Sequence, residues 1–308
     1  MSGAFSNALG FGAAVVAICG SVMNHFWRAA ARARFEGAHA RRFRFDADGI
    51  VQGAAGFTLP APHHDAMPRR AVLLLHGFND TAQSMAYLGA TLHARGWTVR
   101  APLLPGHGSS LAMMATESRA TRWRAAVLAE YDALRREYDS VMVVGQSMGG
   151  ALAMLLAIDR PELPALVLLA PYVGMPHNLQ WRVAGAWIAR LVLPYLRSVG
   201  GETSIHDPLA RAESLGPGIV TARTLTELRR VAEDAEAALP RVWVPTLYLQ
   251  SREDNRIDAR DAEAHFAALG STDKRQQWLT GCGHIISADF CRDEVASLTA
   301  DWLDAHLL

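Results

Sequence analysis

The chain has 308 residues, half of them apolar, which is enough to bury a substantial core in one large domain or two small ones. With 30 basic and 30 acidic residues the formal net charge is zero, so no long-range field would attract a polyanion, and we expect no nucleic-acid partner. The three cysteines form no CxxC motif or metal-ligand cluster, so we expect no disulfide framework, no metal and no other cofactor.

The N-terminal region is apolar and uncharged. From Met1 to Trp27 no side chain carries a formal charge, and residues 5–23 approach the roughly 20 apolar residues that a membrane-spanning helix needs. Arginines follow this run instead of preceding it, which differs from a secretory signal and, by the positive-inside rule, favours a cytoplasmic location for the rest of the chain. We therefore predict that residues 1–41 form an apolar helix with an arginine-rich linker. Either residues 5–23 tether a cytoplasmic protein to the inner membrane, or the helix lies in the membrane interface or packs on protein.

The rest of the chain alternates between strand and helix patterns. Two short strands, Arg42–Asp46 and Gly53–Leu59, come first. A continuous apolar run predicts a strand at Ala71–Leu75. Further strands are predicted at Trp97–Leu103, Val141–Val144, Ala165–Leu169, Pro245–Gln250 and Arg275–Leu279. Helices are predicted at Ala82–Arg95, Arg119–Tyr138, Gly150–Ile158, Leu179–Leu196, Thr224–Leu239, Asp258–Leu269 and Glu294–His306. This alternation is typical of an α/β fold with a mostly parallel central sheet and helices on both faces.

The alternation stops between residues 175 and 240, where two helix patterns are separated by a Gly/Pro-rich stretch without a convincing strand. We therefore divide the chain into an α/β core, residues 42–174 and 241–308, and a helical insertion, residues 175–240. An insertion that leaves from the carboxyl ends of parallel strands lies over the edge where such sheets bind ligands. Its position predicts a lid.

The segment Gly145–Gly149 reads Gly-Gln-Ser-Met-Gly, a G-x-S-x-G motif. The motif alone is weak, because about one chain in ten of this length contains it by chance. Here, however, it lies directly between a predicted buried strand and an apolar helix, as a nucleophile elbow requires. Glycines two residues to either side let the tight turn close, and the turn lifts the serine hydroxyl above the sheet edge. We predict that Ser147 is a nucleophile, and the alternative is a plain glycine-rich turn.

A serine hydroxyl needs an adjacent base, which a carboxylate in turn orients. Of the 12 histidines, only His284 both follows the late strands and lies in a predicted loop, so we predict that it is the base. The acid is expected just after the strand that ends near Gln250. Asp254 is the best placed candidate and Glu253 the runner-up. Two cysteines, 282 and 291, flank the histidine and pair only if the backbone brings them together.

A tetrahedral intermediate needs two N–H donors for its negative oxygen. We predict the backbone N–H groups of Met148, after the nucleophile, and of Phe78, in the loop after the first buried strand. Gly77 lets that loop approach the site, and His76 is predicted to hold it. His107 lies in a second glycine-rich loop and is expected to shape the substrate pocket without taking part in the chemistry.

These stretches resemble the bacterial carboxylesterase and monoacylglycerol-lipase group of the α/β-hydrolase superfamily, of the serine aminopeptidase S33 type. The segments that carry the likeness are Leu73–Phe78, Gly96-Trp97, Pro102–Gly108, Thr121, Trp123, Gly145–Gly149, Asp254–Ile257 and Gly283-His284. The resemblance covers about residues 70–305. It implies the α/β-hydrolase fold, a helical lid inserted between strands six and seven, and ester hydrolysis through an acyl-enzyme. The chain departs from the group at Ser251, where glycine is frequent, and in its apolar N-terminal segment.

The lid pattern gives the one indication of substrate. The predicted helix Leu179–Leu196 is apolar over most of its circumference, so Trp187 and Leu191 either line an acyl pocket or belong to the core of the lid. We therefore expect a serine hydrolase that cleaves small-molecule carboxylic esters with an apolar acyl chain. The alternatives are an amidase, peptidase or thioesterase that uses the same residues, or a non-catalytic hydrolase-fold binding protein. The sequence does not indicate an oligomeric state.

Overall fold

The structure is a computed structural model that describes residues 2–62, 69–175, 185, 192–198 and 201–307, with the backbone alone for residues 2–18. Its strands are β1 Phe57–Leu59, β2 Arg70–Leu75, β3 Thr98–Ala101, β4 Ser140–Gln146, β5 Leu166–Leu169, β6 Leu196–Arg197, β7 Ile219–Val220, β8 Thr246–Ser251 and β9 Lys274–Leu279. Its helices are α1 Ser2–Arg42, α2 Ala86–Ala94, α3 Leu111–Glu117, α4 Ala120–Glu137, α5 Met148–Asp159, α6 Pro208–Glu213, α7 Ala222–Ala238, α8 Ala259–Ala268 and α9 Arg292–Ala305.

Seven strands form the central sheet in the order β1-β3-β2-β4-β5-β8-β9. All neighbours pair in parallel except β1, which runs antiparallel to β3 at the edge. The predicted α/β-hydrolase fold, with its mostly parallel sheet, is confirmed. The insertion of residues 175–240 separates the fifth and sixth strands of this sheet, one strand earlier than the resemblance implies. It contains the two-stranded pair β6-β7 and helices α6 and α7.

The core lies in two layers because alternate residues of each strand point to opposite faces of the sheet. In β4, Val141 and Val143 pack with α4, α5 and α7 on one face, whereas Met142 and Val144 pack with α2 and α9 on the other. Both layers are closed to solvent, which explains why the strands read as continuous apolar runs.

The carboxyl ends of the central strands meet at one place. The register pairs Leu75 of β2 with Gly145 of β4, and Gln146 of β4 with Leu169 of β5. The turn that follows Gln146 therefore emerges between the ends of its two neighbours. In such sheets this is the edge at which ligands bind.

Near the N-terminus the predicted elements differ from the structure. The strand predicted at Arg42–Asp46 is wrong, because α1 continues to Arg42 and only an isolated bridge joins Phe45 to Val51. The run from residue 28 to residue 42 is rich in Ala and Arg, which favour helix strongly, so no boundary interrupts it. Helix α3, in the loop after β3, was not predicted.

The described part of α1 is exposed over residues 19–27, and His39 is its first buried side chain. Within the ranges that the structure describes, no helix combines the length and hydropathy that crossing a membrane requires. Of the 18 residues in the helix predicted at Leu179–Leu196, 12 lie outside the described residues, and the prediction is wrong at residues 192–196, which are described and are not helical. Its last residue, Leu196, belongs to β6, where it pairs with Val220 of β7.

Candidate active site

Ser147 lies on the turn between β4 and α5, with φ 55° and ψ −119°. A positive φ is strained for serine, and it persists because the surroundings fix the turn. The backbone N–H of Ser147 donates to the carbonyl of Leu169 at 2.9 Å, and its carbonyl accepts from Tyr172 at 3.0 Å. The motif glycines are needed for space. A Cβ on Gly145 would lie 2.3 Å from the carbonyl oxygen of Gly149, and one on Gly149 would lie 2.2 Å from that of Leu75.

Three side chains from distant parts of the chain form a hydrogen-bonded row. The Nε2 atom of His284 lies 2.8 Å from Oγ of Ser147, and its Nδ1 atom lies 2.8 Å from Oδ2 of Asp254. An ionised carboxylate only accepts hydrogen bonds, so Nδ1 carries the proton and Nε2 accepts from the serine hydroxyl. The side chain of His284 is 8% exposed and that of Asp254 is fully buried. This arrangement can move a proton from the serine to the imidazole.

Asp254 stays ionised despite its burial. Burial alone would raise the pKa of its carboxyl, but the charge on His284 and the hydrogen bonds outweigh burial and hold the pKa below its ordinary value. Its Oδ1 atom accepts from the N–H groups of Arg256 and Ile257 at 2.7 and 3.1 Å, and its Oδ2 atom accepts from Gln250 at 2.8 Å as well as from the histidine.

The other candidate acids lie elsewhere. Glu253, the runner-up, accepts from the N–H of Gly281 at 2.8 Å, and its side chain is 45% exposed. Asp258 caps the N-terminus of α8 by accepting from the N–H of Asp261 at 2.8 Å. Neither is hydrogen-bonded to His284 in the part of the chain that the structure describes. The alternatives that the sequence left open are thus separated by geometry.

The loop that carries His284 is held from several sides. Gln146 donates through Nε2 to the carbonyl of His284 at 3.0 Å, and the N–H of Ile285 donates to the carbonyl of Ser204 in the insertion at 2.9 Å. Buried Asp289 accepts through one oxygen from Gly283 and from His206, both at 2.7 Å. These contacts fix the imidazole over the serine and join the insertion to the histidine loop.

Composition predicted no disulfide framework and left one cysteine pairing open, and the structure contains that pairing. Cys282 and Cys291 are bonded to each other, with Cα atoms 5.9 Å apart, because the loop turns back between β9 and α9. Ser251, where the chain differs from the group that it resembles, is hydrogen-bonded to the same loop. The Oγ of this residue donates to the carbonyl of Cys282 at 2.5 Å and accepts from the N–H of Glu253 at 3.1 Å. Through these two hydrogen bonds Ser251 connects the turn that carries Asp254 to the loop that carries His284.

The two predicted oxyanion donors lie on either side of the serine. Met148 is the first residue of α5, where a backbone N–H has no partner within the helix. Phe78 lies in the loop after β2, and its N–H donates to no acceptor among the described residues. Gly77 brings this loop close, since a Cβ there would lie 3.3 Å from Cβ of Ser147. Backbone N–H groups without an acceptor beside a nucleophile are available to stabilise a negative oxygen.

His76 holds the loop after β2 and stays neutral. Its Nε2 accepts from the N–H of Leu104 at 3.0 Å, so its Nδ1 donates to the carbonyl of Gly77 at 2.8 Å. Burial, with a smaller effect from His107, lowers the pKa of His76 to about 3. An imidazole that is uncharged at neutral pH and has both nitrogens engaged in hydrogen bonds to the backbone is suited to a structural role.

Asp80 is a charged group within the same loop. Its carboxyl accepts from the N–H of Thr81 at 2.8 Å and from Oγ of Ser84 at 2.6 Å. Burial raises the pKa of Asp80 to about 6, although hydrogen bonds from Ser84, Thr81 and Gly77 and the nearby His284 oppose the shift. The carboxyl holds the backbone of the loop that carries Phe78.

A pocket opens beside Phe78. It is lined by Phe78, Asn79, Gly106, His107, Gly108, Ser109, Leu111, Met114 and Pro217. His107 forms part of its wall, and burial lowers the pKa of this histidine to about 4. Its Nδ1 lies 3.2 Å from the carbonyls of Leu104 and Pro105. The other two predicted substrate residues, Trp187 and Leu191, lie outside the described residues.

Sequence reasoning missed three residues that hold this site, namely Gln146, Asp80 and Asp289. A signal existed for Gln146 and Asp289. Gln146 is a polar residue at the end of a strand that is buried on both faces, and Asp289 is a lone acid in the stretch after His284. Buried polar residues need defined partners, so such positions indicate hydrogen bonds that fix a loop.

Comparisons with known proteins agree with this geometry. Residues 66–289 match the family described as serine aminopeptidase, S33. The chain is 29% identical over 237 residues to the thermostable monoacylglycerol lipase of Bacillus sp. (strain H-257), with 76% of this chain and 90% of the relative covered. It is 26% identical over 237 residues to the carboxylesterase of Bacillus subtilis (strain 168), with 76% and 92% covered.

A solved structure gives the same result. It is described under LipS and LipT, two metagenome-derived lipolytic enzymes, and superposes with a TM-score of 0.74 at 27% identity. The superposition covers 83% of this chain and 100% of that one. Since the family match alone takes in well over half of the sequence, the chain belongs to the serine aminopeptidase, S33 family.

Proposed function

We propose that the protein is a serine hydrolase that cleaves carboxylic esters with an apolar acyl chain through an acyl-enzyme. The observation that carries the proposal is the row of Ser147, His284 and Asp254, joined by two hydrogen bonds of 2.8 Å. The names of the similar proteins, monoacylglycerol lipase and carboxylesterase, support ester hydrolysis. In this proposal Ser147 is the nucleophile, His284 the general base and Asp254 the acid that orients it.

The reaction follows from the proton positions. Oγ of Ser147 attacks the ester carbonyl while Nε2 of His284 takes the hydroxyl proton. The carbonyl oxygen becomes an oxyanion that the N–H groups of Phe78 and Met148 stabilise. Collapse of this intermediate breaks the bond to the alcohol, which leaves with the proton from His284. Water then attacks the acyl-enzyme with the histidine again as base, and the carboxylic acid departs.

The acyl chain is proposed to occupy the pocket beside Phe78. Leu111 and Met114, which line it, offer an apolar surface, and methionine adapts to chains of different shape. His107 adds a neutral ring to the wall, since its lowered pKa leaves it uncharged above pH 4. Gly77 keeps the loop close to the reacting carbonyl. Trp187 and Leu191 of the lid are proposed to complete the pocket.

Replacement of the nucleophile tests the proposal. We expect Ser147→Ala to lose hydrolysis of p-nitrophenyl acyl esters and labelling by a fluorophosphonate probe, because no oxygen remains to attack the ester. The matched control is Ser297→Ala, which changes an exposed serine on α9 and should leave both readouts unchanged. Unaltered ester turnover in Ser147→Ala would refute the proposal, and a wild-type protein that takes no label would favour a non-catalytic binding role.

A second candidate function is hydrolysis of amides or peptides by the same residues. The description of the family, serine aminopeptidase, favours it. Esters and anilides with the same acyl group separate the candidates, since the two share the acyl-enzyme and differ in the leaving group. We expect kcat/KM to be higher for the ester. A higher value for the anilide would assign the protein to the peptidases.

We also propose that α1 attaches the protein to a membrane, as the apolar residues 5–23 predict. Val22, Met23, Phe26 and Trp27 form one exposed apolar face of this helix, between 49% and 69% accessible to solvent. The exposed Arg32 and Arg34 follow it and are suited to anionic headgroups. Wild-type protein should sediment with anionic vesicles more than with neutral ones, and Phe26→Ser/Trp27→Ser should reduce this binding.

The proposed side of the membrane is cytoplasmic, because arginines follow the apolar run. The disulfide between Cys282 and Cys291 opposes this location, since disulfides are rare in reducing compartments. The state of these two cysteines in the cell decides the matter. Reaction of both thiols with an alkylating reagent in rapidly quenched cells would agree with the cytoplasm. Protection of both would place the catalytic domain in an oxidising compartment.

A further inference from the structure

The end of α1 packs against the domain next to the proposed acyl pocket. Phe35 contacts a small cluster made of Leu111, Met114 and Tyr195, and its ring centroid lies 5.9 Å from that of Tyr195. Leu111 and Met114 are almost fully buried, at 1% and 5% exposure. The apolar side chain from α1 thus covers the side of this cluster that solvent would otherwise reach.

Polar contacts fix α1 in the same place. The hydroxyl of Tyr195 donates to Oε1 of Glu36 at 2.7 Å. One turn further along, Nε2 of buried His39 lies 3.1 Å from the carbonyl of Ser109. These contacts join α1 both to the insertion, through Tyr195, and to the loop that precedes α3, through Ser109. The helix therefore has one defined position against the domain.

The residues that contact α1 also line the pocket. Ser109, Leu111 and Met114 belong to the pocket wall beside Phe78, whose N–H is a proposed oxyanion donor. Each of the three is engaged by α1, either by packing on Phe35 or through His39. A displacement of Phe35 would therefore move the residues of the pocket wall that the acyl chain is proposed to contact.

We propose that the segment Phe35–Arg42 of α1 is the outer wall of the acyl pocket and that Phe35 determines its depth by holding Leu111 and Met114. This inference rests on the proposed esterase function and deepens it by naming a determinant of acyl-chain length. Phe35 acts through its neighbours and is a positioning residue. The N-terminal helix then serves the substrate site as well as the membrane.

The test is acyl-chain selectivity in Phe35→Ala, measured with p-nitrophenyl esters from four to sixteen carbons. Removing the ring leaves space into which Met114 can relax, so the pocket deepens. Each further methylene that becomes buried should raise kcat/KM about fourfold. We expect the optimum to move to longer chains through lower KM. The matched control, Phe26→Ala on the exposed part of the same helix, should keep the wild-type profile.

Phe35→Leu guards against misfolding, since it keeps most of the apolar volume and should shift selectivity less in the same direction. Fluorophosphonate labelling of Ser147 reports whether each variant is folded and active. Wild-type selectivity in both labelled variants would overturn the inference. If Phe35→Ala takes no label, Phe35→Leu becomes the test. An unchanged acyl-chain profile in that variant then overturns the inference. Absence of ester turnover in the wild type would instead refute the proposed function.

Discussion

The carboxyl of Asp254 accepts four hydrogen bonds in a buried site, and its pKa lies below the ordinary value. Such a group keeps its charge and holds His284 in the tautomer that accepts from Ser147. Asp254→Asn removes the charge and offers an NH2 group where the histidine needs an acceptor. We expect kcat to fall by roughly 10³–10⁴, as in other serine triads, with KM little changed. Steady-state ester hydrolysis measures this effect.

Glu253 provides the matched control for Asp254, because it is the adjacent acid and its carboxyl accepts from the N–H of Gly281 at 2.8 Å and lies 3.9 Å from Nδ1 of His206, away from His284. We expect Glu253→Gln to retain kcat within a few-fold. If instead the glutamate variant loses activity and Asp254→Asn retains it, the acid assignment is wrong.

Asp80 gives a prediction about pH and stability. Burial raises its pKa from 3.8 to about 6, so between these values the folded protein holds a proton that the unfolded chain releases. The stability contributed by this group is therefore present below pH 4 and is lost as the pH rises through 6. Two pKa units correspond to about 3 kcal/mol. Relative to Asp80→Asn, the wild type should lose about this much unfolding free energy between pH 4 and 7, measured by denaturant titration.

The cost of Asp80 at neutral pH indicates a functional reason for keeping it. An amide cannot accept through both of its terminal atoms, so Asp80→Asn should loosen the contacts to Thr81 and Ser84 and disturb the loop that carries Phe78. We expect this variant to be more stable at neutral pH but to have a lower kcat. A stability difference that stays constant with pH would contradict the raised pKa.

Among the elements, the loop between β9 and α9 is held by restraints of two different kinds. It is closed by the disulfide between Cys282 and Cys291 and held by Gln146, Ser204 and Asp289. The disulfide acts mainly on the unfolded chain, where closing a loop this short is worth about 2–3 kcal/mol. The hydrogen bonds act on the folded loop and fix His284. Removing the disulfide should therefore lower mainly the stability, whereas removing a hydrogen bond that fixes His284 should lower mainly kcat.

We expect Cys282→Ala/Cys291→Ala to melt roughly 3–5 °C lower than the wild type while keeping kcat within a few-fold at 25 °C. Calorimetry and ester hydrolysis provide the two measurements. Cys19→Ala, at an exposed free cysteine, controls for thiol effects and should change neither. Asp289→Asn is the contrasting variant, since it leaves Gly283 and His206 without a full acceptor and should lower kcat. A large loss of kcat in the folded cysteine variant would show that the disulfide itself positions the histidine.

The elements that the sequence predicted well are those decided by local pattern. Apolar runs identified the central strands β2, β4, β5 and β8 because both faces of the sheet are buried there, and the elbow was found because steric closure demands glycine at both flanking positions. Tertiary contacts decided the rest. The bond between Cys282 and Cys291 depends on how a loop turns back, and the choice of Asp254 over Glu253 depends on which carboxyl faces the histidine. Neither is a property of spacing along the chain.

At the scale of the whole molecule, α1 joins two surfaces that a soluble esterase would keep separate. It has 41 residues and a length of about 60 Å, and its last part, from Phe35, packs on the domain. The preceding turns expose Phe26, Trp27 and neighbouring apolar side chains. A rigid helix of this kind would hold the pocket at a fixed distance and orientation relative to the surface in which its apolar face is immersed.

Deletion of residues 2–30 separates the two roles of α1, because it removes the exposed apolar face and keeps the segment from Phe35 to Arg42 that packs on the domain. On dissolved short-chain esters we expect kcat/KM to stay within about twofold of the wild type, since the pocket wall remains. Loss of membrane binding should lower turnover of monoacylglycerol embedded in anionic vesicles by tenfold or more, and added salt should reduce the wild-type rate toward the same level as it screens Arg32 and Arg34. Equal vesicle turnover by both proteins would exclude a membrane role for the N-terminal helix.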